Sequence, residues 1–271
     1  MKYALIKSTI APLMEAPPHE KELSDEALCG MTVEVLGNDG EWVHIRTHYH
    51  YEGYVQEQNL CFDEDLVQLW RTAPKKVVLQ AYADVLGAPS VKGPLVGEIT
   101  RGGLLSPVGE MRDGWQKVRF CDGREGWTCG AFLGEYITTW DKADEQALRK
   151  AVVNTALGYL GTQYRWGGKT PLGIDCSGLS SMAYLLNGVV IYRDAHILPE
   201  FAMHEIAFAD KKEGDLLFFP GHVAMYLGDN RYVHSTAGNN CHGVVINSLD
   251  PRAADYRADL PSKLLCTGSI F

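Results

Sequence analysis

Residues 174–178 read Ile174-Asp175-Cys176-Ser177-Gly178, and they open a stretch of helical spacing that runs through Met182, Leu185 and Leu186 to Gly188. Further along, the periodicity changes. Asp215-Leu216-Leu217-Phe218-Phe219, His222-Val223-Ala224-Met225-Tyr226-Leu227 and Arg231-Tyr232-Val233-His234 are short apolar runs. Pro220-Gly221 and Gly228-Asp229-Asn230 punctuate them as turns, and the second reads as a hairpin. Upstream, Lys142 to Leu160 carries Ala143, Leu148, Val152, Ala156 and Leu160 at helical spacing, with Asp141 as its N-cap. Helices followed by strands predict an α+β domain with an antiparallel sheet over residues 141–271.

The first half is written differently, and it repeats. Trp42 and Trp115 lie 73 residues apart, as do Glu52-Gly53-Tyr54 and Glu125-Gly126-Trp127, and Gly30 and Gly103; Ala16-Pro17 and Ala88-Pro89 are offset by 72. Trp42-Val43-His44-Ile45-Arg46 and Trp115-Gln116-Lys117-Val118-Arg119 alternate as strands, each behind a turn signal, Asn38-Asp39-Gly40 or Arg112-Asp113-Gly114. Two copies of a small all-β barrel follow, over residues 1–64 and 74–138, with linkers near 62–74 and 136–142.

The formal charge of −9 and the lack of any basic run argue against a nucleic-acid partner, which requires clustered Lys and Arg. Seven cysteines, an odd number without CxxC spacing, read as free thiols in a reducing compartment. The first residues lack the apolar core of a secretory signal, and no stretch reaches the length of a membrane span, so no membrane insertion is expected. The expectation is a cytoplasmic protein, or an exported one if a signal was removed before the numbering begins.

Taken alone, Cys176 reads as a buried thiol. At a helix N-terminus, however, the dipole and the unpaired N–H groups favour a thiolate and lower its pKa, and the same N–H groups suit a developing oxyanion. Such a nucleophile needs a base. His222 and His234 sit on the two predicted strands of one hairpin, where one ring can act as base and the other can orient it. A zinc site from Cys176, His222 and His234 lacks a fourth ligand at short spacing, so neither metal nor cofactor is expected.

Tyr164-Arg165-Trp166-Gly167-Gly168, Asp175-Cys176-Ser177-Gly178, Gly214-Asp215-Leu216, Gly221-His222-Val223-Ala224-Met225-Tyr226-Leu227-Gly228 and Tyr232-Val233-His234 together resemble the NlpC/P60 family of papain-like cysteine peptidases. The repeats resemble bacterial SH3-like domains. Two such domains ahead of this one are similar to the γ-D-glutamyl-L-diamino acid endopeptidases of peptidoglycan recycling, with looser signatures at Glu22-Leu23, Tyr51-Glu52-Gly53-Tyr54 and Tyr192-Arg193-Asp194-Ala195.

The resemblance implies two SH3-like barrels followed by an α+β papain-like domain. The implied activity is cleavage of the γ-D-Glu–diamino acid bond in stem peptides whose L-Ala amine is free. It makes Cys176 the nucleophile, His222 the base, His234 the orienting group and Tyr164 a hydroxyl beside the nucleophile. Asp175, Glu22 and Tyr51 would meet the substrate amine, and Ser177 and Arg193 the D-Glu carboxylate. Alternatives are a wall-peptide binding module with an inactive peptidase domain, and an amidase or acyltransferase on the same Cys-His scaffold. Residues 196–210, rich in His, Met and Phe, carry no chemical assignment at this level.

Overall fold

In the computed structural model, which describes residues 2–17 and 22–271, the chain divides into two compact units, Met1–Tyr136 and Ile137–Phe271.

The first unit holds two seven-stranded antiparallel sheets. The first comprises β1 (Lys2–Ile6), β2 (Ile10–Met14), β3 (Leu23–Leu28), β4 (Thr32–Asp39), β5 (Trp42–Arg46), β6 (Glu52–Gln56) and β7 (Leu60–Cys61). The second comprises β8 (Lys76–Val78), β9 (Tyr82–Leu86), β10 (Leu95–Thr100), β11 (Leu104–Pro107), β12 (Trp115–Arg119), β13 (Glu125–Cys129) and β14 (Leu133–Glu135). Their strand orders, β3-β2-β6-β5-β4-β1-β7 and β10-β9-β13-β12-β11-β8-β14, are the same order seven strands apart.

The repeat also survives in its chemistry. Arg46 clasps Glu52 at 2.6 and 2.8 Å, and Arg119 clasps Glu125 at the same distances across the equivalent strand pair. The conserved spacing of Gly53 and Gly126 follows from crowding. A Cβ on Gly53 would lie 3.2 Å from Leu13, and one on Gly126 would lie 2.7 Å from Val85, each on the paired neighbouring strand, β2 or β9. The register shifts once within the repeat. Gly30 donates to Ile6 O with φ +83°, and its structural counterpart is Gly102, donating to Val78 O with φ +88°, rather than Gly103.

The segment expected as a linker is a helix, α1 (Glu64–Thr72). Asp63 caps it by accepting from Leu66 N at 3.0 Å, and it buries Val67 and Trp70. Trp70 Nε1 donates to Gly30 O at 2.7 Å, while Leu104 N donates to Cys29 O at 2.8 Å, so the turn at Gly30 receives both α1 and the second sheet.

The second unit has two helices, α2 (Glu145–Leu157) and α3 (Cys176–Leu185), and a short β15 (Lys169–Thr170) and β16 (Gly173–Ile174) hairpin. Its main sheet contains β17 (His204–Ile206), β18 (Leu216–Phe219), β19 (His222–Gly228), β20 (Arg231–Thr236), β21 (Gly243–Ser248) and β22 (Cys266–Ser269), ordered β17-β22-β18-β19-β20-β21 and antiparallel throughout. Asp141 caps a 3-10 turn, Lys142–Asp144, and Asp144 caps α2, so the helix begins later than its periodicity suggested. Arg149 anchors α2 to the sheet through Asp215 Oδ1 at 2.7 Å and Ser269 Oγ at 3.2 Å.

Helix α3 is buried from Cys176 to Tyr184 and packs on α2, β15, β19 and β20. A helix buried on every side has no polar face to display. Its small residues permit the close packing, and the Ser180 and Ser181 hydroxyls bond back to carbonyls of the preceding turn, at Cys176 and Gly178.

Gly30 gives a stability test. A Cβ there would sit 2.7 Å from Leu104 O and 2.9 Å from the Trp70 ring, in a left-handed conformation. Gly30→Ala is expected to lower the unfolding free energy by about 2 kcal/mol or more, read from the denaturant midpoint.

Candidate active site

The site begins with the cap of α3. Asp175 is extended, with φ −90° and ψ −178°, and its Oδ1 accepts from Gly178 N at 2.6 Å. Its Oδ2 accepts from Gly167 N at 2.8 Å. Gly178 is required because Gly168 O approaches to 2.2 Å of where its Cβ would stand. The loop that contains Gly167 and Gly168 is thereby pressed onto the first turn of the helix.

Arg193 completes this arrangement from a buried position, 1% exposed. It reaches Asp175 Oδ1 at 3.1 Å and Oδ2 at 3.2 Å, Ser177 Oγ at 2.8 Å and Gly168 O at 3.3 Å. The sequence assigned Asp175 to a substrate amine and Arg193 to a substrate carboxylate. In the folded chain the two charges face each other, as opposite charges removed from water must. Ser177 Oγ lies between them, donating to Asp175 Oδ1 at 3.2 Å.

The two histidines meet as the hairpin implied. β19 and β20 pair through Met225↔Val233 and Tyr226↔Tyr232, and His222 Nε2 lies 2.7 Å from His234 Nδ1. Two further groups continue the chain. His234 Nε2 is 2.9 Å from Asn247 Oδ1, and Asn247 Nδ2 donates to the main-chain carbonyl of Asp255 at 2.7 Å. Asn247 was missed by the sequence reading. Its signal lay in the register of β21, where Val245 sits opposite His234 and Asn247 opposite Tyr232, one diagonal away on the same face.

Several contacts set the spacing between nucleophile and histidines. Ser235 Oγ, one residue past His234, donates to Ile174 O at 2.6 Å. The N–H of Val223, one residue past His222, lies close enough to Cys176 to favour its thiolate. Tyr164 bridges to Ile174 and lies within electrostatic reach of Cys176.

Burial governs the protonation of all these groups. Cys176 is 6% exposed, and desolvation raises its thiol to about 11, with the Asp175 charge adding; the N–H of Val223, Arg193 and the N–H of Ser177 pull the other way. The lowered thiol pKa expected from the helix N-terminus is therefore outweighed. Desolvation lowers His222 to about 3, with His234 and Arg257 reinforcing it, and lowers His234 to about 4. Burial likewise raises the Tyr164 phenol, and the Cys176 and Asp175 charges add. Burial thus favours the neutral forms of the thiol and of both imidazoles. Proton transfer from Cys176 to His222 would create thiolate and imidazolium together, so neither charge is buried alone.

Tyr51 and Glu22 belong to the first unit. Tyr51 closes the turn after β5, its N–H donating to Thr47 Oγ1 at 3.1 Å, and Glu22 is exposed at the entry to β3. Of the rings beside Tyr51, Tyr49 is buried and donates to Asp25 Oδ2 at 2.6 Å. The unassigned His- and Phe-rich stretch has a packing role: His196, Phe201 and Met203 line a narrow cavity behind Ser177 and Val223.

Two outcomes follow. Arg193→Met leaves the Asp175 carboxylate buried without its cation and is expected to cost about 3–5 kcal/mol of unfolding free energy, measured in denaturant. Both imidazoles titrate near 6.5 in the unfolded chain but only at about 4 and about 3 when folded. The unfolded state thus binds more protons in that window, and stability falls as the pH drops from 6.5 toward 3. Between pH 7 and 4.5 the protein should lose roughly 2–3 kcal/mol more than His234→Gln, which lacks one titrating ring.

Comparison with known proteins gives this geometry its relatives. The NlpC/P60 family profile matches residues 161–257, and the profile of the bacterial dipeptidyl-peptidase Sh3 domain matches residues 13–60. The chain is 42% identical to Dipeptidyl-peptidase 6 of Lysinibacillus sphaericus over 99% of both proteins. It is 27% identical to the Gamma-D-glutamyl-L-lysine dipeptidyl-peptidase of Bacillus cereus (strain ATCC 10987 / NRS 248), over 79% of this chain and 67% of that one. In structure it superposes on an NlpC/P60 family protein from Bacillus cereus ATCC 10987 with a TM-score of 0.79 over 98% of each chain, at 21% identity, which is a likeness of fold. With Cys176, His222 and His234 inside the matched segment and a full-length relative at that level of identity, the chain belongs to the NlpC/P60 family and is a cysteine peptidase.

Proposed function

We propose that the protein hydrolyses the γ-D-Glu–L-diamino acid bond of peptidoglycan stem peptides that begin with a free L-Ala. The observation that carries the reading is the His222–His234 pair, bonded at 2.7 Å, on strands that pack on the buried helix opened by Cys176. The choice of bond is supported by the names of the relatives: a dipeptidyl-peptidase releases two residues from a free amino end. Intracellular recycling of released wall peptides, in the cytoplasm, fits a chain with seven free cysteines.

In this reading residues 1–64 and 74–138 are two SH3-like barrels, and residues 141–271 form a papain-like domain. The repeated strand order of the two sheets supports the pairing of the barrels. Tyr51 and Glu22, on the first barrel, are assigned to the L-Ala amine. Ser177 is assigned to the D-Glu carboxylate, a contact its hydroxyl makes by turning its single proton from Asp175 Oδ1 to the substrate.

The chemistry then runs through Cys176 and His222. As the sulfur attacks the γ-carbonyl carbon, its proton passes to His222, and the carbonyl oxygen becomes an oxyanion held by the N–H of Cys176, with Tyr164 alongside. Collapse breaks the C–N bond, and His222 returns the proton to the leaving α-amine of the diamino acid. Water then attacks the thioester and gives a proton to His222, which passes it back to sulfur as L-Ala-D-Glu leaves. His234 orients His222 throughout.

The test is incubation with L-Ala-γ-D-Glu-diaminopimelate, free and N-acetylated, followed by mass spectrometry. Release of L-Ala-D-Glu from the free peptide alone, abolished in Cys176→Ala, is expected. Equal cleavage of the two peptides would overturn the assignment of Tyr51 and Glu22 to the amine, and absence of cleavage would overturn the substrate assignment.

A further inference from the structure

We propose that Asn247, anchored by the main-chain carbonyl of Asp255, is a positioning residue that fixes the tautomers of both active-site histidines and makes Nδ1 of His222 the base. The inference builds on the proposed peptidase mechanism, and it names the group that sets the direction of the base.

The argument starts at the one group in the chain that cannot change character. A main-chain carbonyl only accepts, so the Asn247 atom 2.7 Å from Asp255 O is the NH2 group. That places the amide oxygen toward His234 Nε2 at 2.9 Å, and Nε2 must carry the proton. A neutral His234 then has a bare Nδ1, which accepts at 2.7 Å from His222 Nε2–H. A neutral His222 with Nε2 protonated has its lone pair on Nδ1, the ring nitrogen nearer the backbone. The peptide N–H next along, that of Val223, favours the Cys176 thiolate. Every proton in the chain follows from the orientation of one amide.

The opposite arrangement meets like groups at both ends. If His222 carried its proton on Nδ1, it would present a donor to the thiol and could not act as base. His234 would then need a proton on Nδ1 and a bare Nε2 facing the Asn247 oxygen, two acceptors at 2.9 Å. Rotating the amide to relieve this would set its oxygen against Asp255 O at 2.7 Å. The carbonyl itself is held, because Tyr256 forms a parallel bridge to Ser248 beside β21. The rings lie in a region that disfavours charge, His234 being 0% exposed, so neutral tautomers are the states that compete.

Asn247 also ends the relay. When His222 takes the thiol proton, its Nε2–H remains shared with His234. His234 can accept that proton only at Nδ1, becoming the imidazolium itself, and its Nε2 proton can go no further because an amide oxygen is a poor base. The positive charge therefore stays within the histidine pair, and the relay ends there.

The test reads the tautomers directly. Nitrogen-15 NMR of the histidine rings in the full-length protein at neutral pH is expected to show Nε2 protonated and Nδ1 bare in both His222 and His234. A protonated Nδ1 on either ring overturns the proposal, with no variant required. Asn247→Leu keeps the shape but removes the acceptor. It should introduce the Nδ1–H tautomer and slow iodoacetamide alkylation of Cys176, followed by mass spectrometry of its peptide, by about 10–100-fold. In peptide cleavage the loss should fall on kcat with KM little changed. A folded Asn247→Leu protein with unaltered tautomers and alkylation would overturn the proposal. The NMR and alkylation measurements use no peptide substrate, so a wrong substrate assignment would leave them standing.

Discussion

Burial of the Asp175 carboxylate against the Arg193 guanidinium is the constraint on which the second unit's chemistry rests. A carboxylate this far from water is tolerated only with a cation and a full set of donors around it, and it has both. The same contacts that satisfy the charge fold the loop at Gly167 and Gly168 onto α3, start the helix at Cys176 and orient Ser177. Cys176 is thus placed by the buried charge pair. Gly178 follows from this geometry, because the Gly168 carbonyl occupies the space a side chain would need.

Opposite that helix the problem is direction rather than charge. His222 and His234 are held neutral by burial, so their usefulness depends on which nitrogen carries the proton. A carboxylate at the end of the chain would stabilise imidazolium, whereas an amide stabilises a particular neutral tautomer. The histidine hairpin is tied to the segment leading into α3 by Ser235 Oγ on Ile174 O, a contact that any change of strand register would break.

The first unit shows the same economy in a repeated form. The Arg46–Glu52 and Arg119–Glu125 clasps, and the glycines that admit a crossing strand, recur because each sheet closes in the same order. The copies diverge at the turn after the Arg-bearing strand, where His48-Tyr49-His50-Tyr51 in the first faces Cys121-Asp122-Gly123-Arg124 in the second. A loop that differs on a maintained scaffold is where a separate role for the first copy would reside.

The sequence by itself determined the two styles of folding, the internal repeat, and the meeting of His222 and His234 on one hairpin. Periodicity, turn residues and spacing are local properties, and a short hairpin leaves two of its side chains little choice but to meet. The helical character of residues 64–72 was hidden by a mixed composition that only the burial of Val67 and Trp70 resolves. Tertiary structure alone decided that Asp175 and Arg193 answer each other, 18 residues apart, and that Asn247 closes the histidine chain from a third strand. It also decided that burial, and not the helix dipole, sets the resting thiol. Those outcomes depend on which charges and donors are enclosed together after the chain has folded, and neither spacing nor residue type encodes how much water remains beside them.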